Sequence, residues 1–180
     1  MFLCFEKPDF SFIFVEKICG MENTKGYFHL HKQFDPAGEV WVPDGLDTSK
    51  ADAIDIMSIA DSFAKEGSII KVLKPFHYKS DAYKEVFANL IGTKSERKCP
   101  DLLVNDAFYE YESYSRPWNK RKLSNMLTHG LRQSNRVIID NRDGTTIRQI
   151  KRAIRSRLKV NAIISEVWLY DGKEVIRIYP

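Results

Sequence analysis

Apolar and polar residues alternate through "YFHLHKQFDPAGEVWV" (27–42), and the alternation breaks once, at "DPAG". A period of two with a Pro/Gly interruption predicts two strands and a turn. Beyond the punctuating "DGLDTSK" the period lengthens to that of a helix. In "ADAIDIMSIADSFAKEG" the apolar positions Ile56, Ile59, Ala60 and Phe63 share one face; Asp47, Thr48 or Ser49 is placed to cap it and Gly67 to end it. "SIIKVLKP" reads as a compact strand stopped by Pro75, and "SDAYKEVFANLIG" as a short helix ending at Gly92. "DLLV" and "AFYEYESY" are strands flanking Asn105-Asp106. "NKRKLSNMLTHGLRQS" sets Leu123, Met126, Leu127 and Leu131 on one helical face, and "RVIID" is a short strand of the wholly buried kind. "TTIRQIKRAIRSRLK" is a second basic helix with Ile147, Ile150, Ile154 and Leu158 inward. "AIISEVWLY" and "EVIRIYP" close the chain as a hairpin around "DGK".

From Ser49 the order is therefore helix, strand, short helix, strand, strand, helix, strand, helix, strand, strand. Strands interleaved with amphipathic helices predict an α/β fold, a mixed β-sheet core flanked by helices. Residues 1–48 form a β-rich N-terminal extension, and 49–180 form the main domain. No internal repeat is present.

Composition narrows the class. With 180 residues, 43% hydrophobic and 29% charged, the chain has the make-up of an ordinary globular protein with a sizeable core, which excludes disorder and collagen-like repeats. Cys4, Cys19 and Cys99 are odd in number, widely spaced and without CxxC. Free thiols in a reducing, cytoplasmic setting are the expectation, not a disulfide framework or a zinc cluster. The apolar opening "MFLCFEKPDFSFIFVEKICG" fails as a signal peptide because Glu6, Lys7 and Asp9 interrupt its apolar stretch. No run reaches transmembrane length, so no membrane partner is expected.

Charge changes the picture further. The net charge is only +4, yet between Arg116 and Lys159 thirteen Lys and Arg face two acids, Asp140 and Asp143. Such a block is either a solvated basic face or a surface for a polyanion such as nucleic acid. On the second basic helix Arg148, Arg152, Arg155 and Lys159 form a stripe opposite the apolar positions, suited to phosphate contacts. Arg116, Lys120, Lys122 and Arg132 add to it from the segment before.

The acids concentrate elsewhere. In "CPDLLVNDAFYEYE" (99–112) Asp101 begins one strand, and Glu110 and Glu112 end the next, although acids are depleted in strands. If Asn105 and Asp106 are the central residues of a tight turn, Asp101 lies opposite Glu110 and Glu112 shares their side of the sheet. Like charges so placed repel. The two readings are a solvated sheet end, with the register one residue off, and an oxygen-rich site for Mg²⁺ or Mn²⁺.

Pro100-Asp101 followed by Glu110-Tyr111-Glu112 resembles the PD-(D/E)xK nuclease signature, and the order helix, strand, strand, strand, helix, strand over about residues 50 to 140 resembles that superfamily's restriction-endonuclease-like core. More narrowly, "IDIMSIADSFAKEG", "CPDLLVNDAFYEYESY" and "LRQSNRVIID" resemble the tRNase toxin domains at the C-termini of contact-dependent growth-inhibition proteins. The resemblance implies a Mg²⁺- or Mn²⁺-dependent nuclease acting on RNA such as tRNA, or on DNA. It implies Asp101 and Glu110 as metal ligands, Asp55 as an acid from the first helix and Gln133 as a positioning residue. It also implies, for a toxin, a protein inhibitor as partner. The departure is Glu112, which stands where the family has lysine. An acid cannot stabilise phosphorane charge as a cation does, but it can bind metal or act as general base. Restriction enzymes with ExE occur in the superfamily. Lys120 and Lys122 are candidates for the missing cation.

Two alternatives remain beside this reading. One is a non-catalytic nucleic-acid-binding module on the same fold; the other is a protein-interaction domain with solvated acids. Residues 1–48 lie outside the resemblance and are an added lobe or a dimer contact. His29 and His31 form HxH on a strand, facing one way, but no third ligand accompanies them. His77 and His129 have no nucleophile partner, and no phosphate-binding glycine loop exists. Trp41 and Trp168 read as core or contact residues; Trp118, between Arg116 and Lys120, is the one placed for base stacking.

Overall fold

The computed structural model describes residues 26–114, 119–142 and 144–180; the opening stretch with Cys4 and Cys19, the segment holding Arg116 and Trp118, and Asp143 lie outside them. The chain folds as a mixed α/β domain. Its strands are β1 (Phe28–Phe34), β2 (Gly38–Pro43), β3 (Ile69–Val72), β4 (Leu102–Val104), β5 (Ala107–Glu112), β6 (Arg136–Asp140), β7 (Glu166–Tyr170) and β8 (Val175–Tyr179). They form one sheet in simple sequential order. Pairing is antiparallel at β1–β2, β3–β4, β4–β5 and β7–β8, and parallel at β2–β3, β5–β6 and β6–β7. Each parallel step is made by a helical crossover: α1 (Ala51–Lys65), α3 (Lys120–Gln133) and α4 (Ile147–Leu158). The short α2 (Asp81–Val86) and a single 3-10 turn (Ala88–Leu90) lie between β3 and β4.

Alternation along the strands divides the core. Val40, Ile70, Leu102, Tyr109, Tyr111 and Ile138 point to one face and pack under Ile59, Ala60 and Phe63 of α1. The opposite face carries two separate apolar clusters. Phe28, Leu73, Tyr83, Phe87 and Phe108 gather around α2. Leu123, Met126 and Leu127 of α3 and Ile150 and Ile154 of α4 cover Val137, Ile139, Val167 and Leu169. The strand β6 is buried along Val137–Asp140, as expected of one flanked by parallel neighbours under helices. Among the described residues no helix is long and apolar enough to cross a membrane.

Several local expectations are corrected. None of Asp47, Thr48 and Ser49 caps α1: its N-cap is Lys50, without a side-chain bond, and Asp47 instead accepts from the Ser49 backbone N–H (3.1 Å) and hydroxyl (2.6 Å), closing a local turn. Ile147 does not face inward; it is the first residue of α4, next to the Thr146–Gln149 capping box, and keeps 51% of its surface exposed. A bulge between Leu30 and Lys32 takes His31 out of the strand register, and His29 Nδ1 lies 2.8 Å from Asp44. Within the β-rich stretch before residue 49, β1 and β2 form a hairpin, and β2 pairs with β3 of the main sheet. Gly38 permits this layer to close: a Cβ there would fall 1.7 Å from the Ala64 carbonyl oxygen of α1.

Candidate metal centre and basic surface

The hairpin β4–β5 has the register inferred from Asn105-Asp106: Leu102 opposes Tyr109, Leu103 opposes Phe108 and Val104 opposes Ala107. Asp101, one residue before β4, therefore stands opposite Glu110. Asn105 adopts φ 45°, a left-handed conformation Asn tolerates. Its N–H donates to Ile69 O (2.8 Å), and its Oδ1 accepts from Ile69 N–H (2.9 Å). The turn is thus tied to β3, and a one-residue slip would break both bonds.

Phe108, Glu110 and Glu112 follow one another on the face opposite α1. Phe108 belongs to the α2 cluster, while Val137, paired with Glu110, belongs to the α3–α4 cluster. The acids stand at the join of two apolar clusters. Glu110 keeps only 9% of its surface exposed, and Asp101 and Glu112 are half-buried. Asp101 Oδ2 accepts from the Tyr111 backbone N–H at 2.9 Å, bending this carboxylate onto β5. The Glu112 stem reaches α3, where a Cβ at Gly130 would lie 3.2 Å from Glu112 Cγ and 2.7 Å from Val137 Cγ1.

Burial and mutual repulsion govern the protons of these groups. Burial, then the charges of Asp101 and Glu112, push Glu110 up to about 9. Burial, then Asp101, raise Glu112 to about 7. Asp101 rises to about 6 through burial, opposed by the Tyr111 amide and aided by Asp52 in the first turn of α1. Among the described residues Glu110 Oε2 and Gln133 Oε1 are buried side-chain atoms without a hydrogen-bond partner. Gln133 ends α3, and the following Ser134 anchors the connection by donating to Phe108 O at 2.6 Å.

The donor set fits a divalent cation in chemistry: all ligands are oxygen, their charges repel and one buried carboxylate oxygen lacks a partner. No group of three or more His, Cys, Asp or Glu stands arranged as a metal site among the described residues. Mg²⁺ does not require such a cage, because one or two carboxylates with water and substrate phosphates suffice. Asp101 and Glu110 meet that requirement.

Asp55 is placed differently from the expectation that it joins these acids. It sits on the α1 face, where Arg142 grips it through Nη1–H to Oδ1 (3.1 Å) and Nη2–H to Oδ2 (2.8 Å), and the Tyr111 hydroxyl donates to Oδ2 (3.0 Å). Arg142 also donates to Asp140 at 2.6 Å. The α1 acid whose charge reaches Asp101 is Asp52.

Of the basic residues, Arg132, Arg148, Arg152, Arg155 and Lys159 are exposed, and none enters an ion pair among the described residues. Arg157 of the same helix turns inward and donates to Ser124 O at 3.1 Å, joining α4 to α3. Lys122 Nζ lies 4.9 Å from the Tyr114 ring centroid. Lys120 is described only as the first residue of α3, and Arg116 lies outside the described residues.

Sequence reasoning missed Arg142 as a clamp, Gly130 as the close approach of α3 to the sheet and Glu166 as a polar hub. The readable signal for the first was Asp140, an acid at the carboxyl end of a buried parallel strand. Glu166 joins Tyr109, Arg136 and Trp168 in a groove of about 510 Å³ at the other end of the sheet, on the α1 face. No protein-family model matches the chain, and no curated protein or solved structure matches it.

Proposed function

We propose that the chain is a metal-dependent nuclease of the PD-(D/E)xK type, hydrolysing phosphodiester bonds in RNA such as tRNA or in DNA. The observation that carries the reading is the opposed pair Asp101 and Glu110, with Glu110 buried and its Oε2 unpartnered. The order α1, β3, β4, β5, α3, β6 around the pair supports it. Asp101 and Glu110 would hold Mg²⁺ or Mn²⁺, which when bound lowers the pKa of its water and polarises the phosphodiester. Glu112, raised to about 7, has a proton affinity suited to accepting a proton from water near neutral pH. Gln133 brings a free carbonyl oxygen to orient ion or substrate. Arg132, Arg148, Arg152, Arg155 and Lys159 track the sugar-phosphate backbone from the surface of α3 and α4. Asp55 is engaged by Arg142 and is not a ligand in this reading.

The test is calorimetric titration of Mg²⁺ and Mn²⁺ into wild type and Asp101→Ala, followed by incubation with labelled tRNA and plasmid. The expected result is ion binding and cleavage in wild type, both lost in a folded variant. Full cleavage by Asp101→Ala overturns the proposal. Glu112 at the lysine position favours a second reading, a nucleic-acid-binding module without chemistry. It predicts salt-dependent binding with no metal-dependent turnover.

A further inference from the structure

Tyr111 links the two faces of the sheet at its carboxyl edge. Its backbone N–H holds Asp101 (2.9 Å), and its neighbours Glu110 and Glu112 project to the face of the candidate metal site. Its ring projects the other way, stands edge-on to Tyr170 at 6.0 Å and donates its hydroxyl to Asp55. Asp55 is buried on α1. Arg142 fixes the direction of its carboxylate. Its planar fork spans Asp55 with two bonds and Asp140 with others, and its own backbone N–H donates to Asp140 Oδ1 (3.0 Å). The fork joins α1, the end of β6 and, through Tyr170 (5.9 Å to the ring centroid), the end of β7. Gly172 leaves the space: a Cβ there would lie 3.1 Å from Arg142 Cδ. A bidentate guanidinium fixes orientation as well as charge, which an ammonium does not.

We propose that Arg142 is a positioning residue for the hairpin carboxylates: by clamping Asp55 and Asp140 it fixes Tyr111, which in turn sets Asp101 through its amide and Glu110 and Glu112 through the strand. The inference rests on the metal-dependent reading above. It assigns Arg142 no contact with ion or substrate. Groups that orient ligands from behind commonly alter metal affinity 10–100-fold when changed, and a relay through one tyrosine belongs at the lower end, about tenfold.

The experiment uses the full chain with Mn²⁺ as probe. Affinity by calorimetry, Tm, and hydrogen exchange at the Tyr111 amide are measured for wild type, Arg142→Lys and Tyr111→Phe. Arg136→Lys, which perturbs the ion pair with Glu166 (3.2 Å) on the face of the sheet opposite the hairpin carboxylates and leaves the Asp55–Arg142–Tyr111 contacts in place, is the control. Arg142→Lys is expected to weaken Mn²⁺ about tenfold and to speed exchange at the Tyr111 amide. Tyr111→Phe, which removes one hydroxyl and keeps the ring, shows the same changes in smaller measure, and Arg136→Lys lowers Tm alone. A merely structural clamp would lower Tm in all three and leave affinity and amide protection as in wild type; that result overturns the inference. If wild type itself binds no Mn²⁺, the metal reading falls and takes this inference with it. Wild-type binding left intact by Tyr111→Phe and by a folded Arg142→Lys overturns the inference alone.

Discussion

Glu110 and Glu166 lie on opposite faces of one sheet, and both are withdrawn from solvent, yet they are treated in opposite ways. Glu166 accepts from the Tyr109 hydroxyl (2.9 Å), the Trp168 indole N–H (2.8 Å) and Arg136 Nε–H (3.2 Å), with Arg177 at 3.9 Å. Burial works to raise it, but these donors outweigh burial and hold it below the ordinary carboxylate range. Glu110 is raised to about 9 by burial and by two neighbouring acids, and one of its oxygens has no partner. The chain supplies donors and cations for one acid and, among the described residues, none for the Oε2 of the other. Asp55 follows the pattern of Glu166, since Arg142 neutralises it. The protonation of these withdrawn carboxylates is therefore sorted by what faces them: donors and cations hold one low, and neighbouring acids push the other up.

The largest expected effect separates the two glutamates outright. Glu110→Ala should abolish Mn²⁺ binding and any nuclease activity with a folded chain. Glu166→Ala should instead cost about 2–3 kcal/mol, because the Tyr109 hydroxyl and Trp168 indole lose their acceptor. Calorimetry with thermal melts distinguishes them, and equal destabilisation without loss of binding in Glu110→Ala would erase the contrast.

A second effect is pH-dependent. Glu110 has an ordinary value of 4.5 and a folded value of about 9. Between those pH values the folded chain keeps a proton the unfolded chain has released, so the stability present below pH 4.5 is lost as pH rises toward 9. Glu112, from 4.5 to about 7, and Asp101, from 3.8 to about 6, add losses of the same sign over narrower windows. Melts in EDTA should show Tm falling from acid to alkaline pH, Glu110→Gln should flatten the fall, and Mn²⁺ should oppose it. A Tm that rises over the same range contradicts the assignment.

Gly130→Ala should cost about 1–3 kcal/mol by overpacking, since its Cβ would press on Val137 and the Glu112 stem. Denaturant titration measures that cost, with Mn²⁺ affinity expected to fall as Glu112 shifts. The smallest effect lies on the surface. Arg152→Gln and Arg155→Gln together should leave stability within about 0.5 kcal/mol. They should also reduce the salt slope of nucleic-acid binding by roughly 0.7–0.9 for each phosphate no longer neutralised. An unchanged slope would remove these two residues from the interface.

What could be read in advance was local. Period-two and helical spacing located the elements from Tyr27 onward, and the Asn105-Asp106 turn set the register that brings Asp101 to Glu110. Features that depend on distant partners could not be read. The grip of Arg142 on Asp55 spans 87 positions, so Asp55 looked like a site acid and Arg142 like one more charge in a basic block. The bulge at His31 and the exposure of Ile147 depend on how β1 and α4 meet the sheet, and no periodicity encodes that.

The sequential order of the eight strands has a consequence for assembly during synthesis. Each described strand finds its partner among segments already made, so the sheet can grow by addition at one edge without inserting a strand between paired ones. Such stepwise pairing keeps loop closure short and favours rapid folding. Arg142 is the exception: it meets Asp55 long after that helix has emerged. A nascent chain ending before Arg142 would carry the three hairpin acids and the first helix but lack the fork that grips Asp55. By this order of events the link from β6 back to α1 closes late, only once Arg142 has left the ribosome.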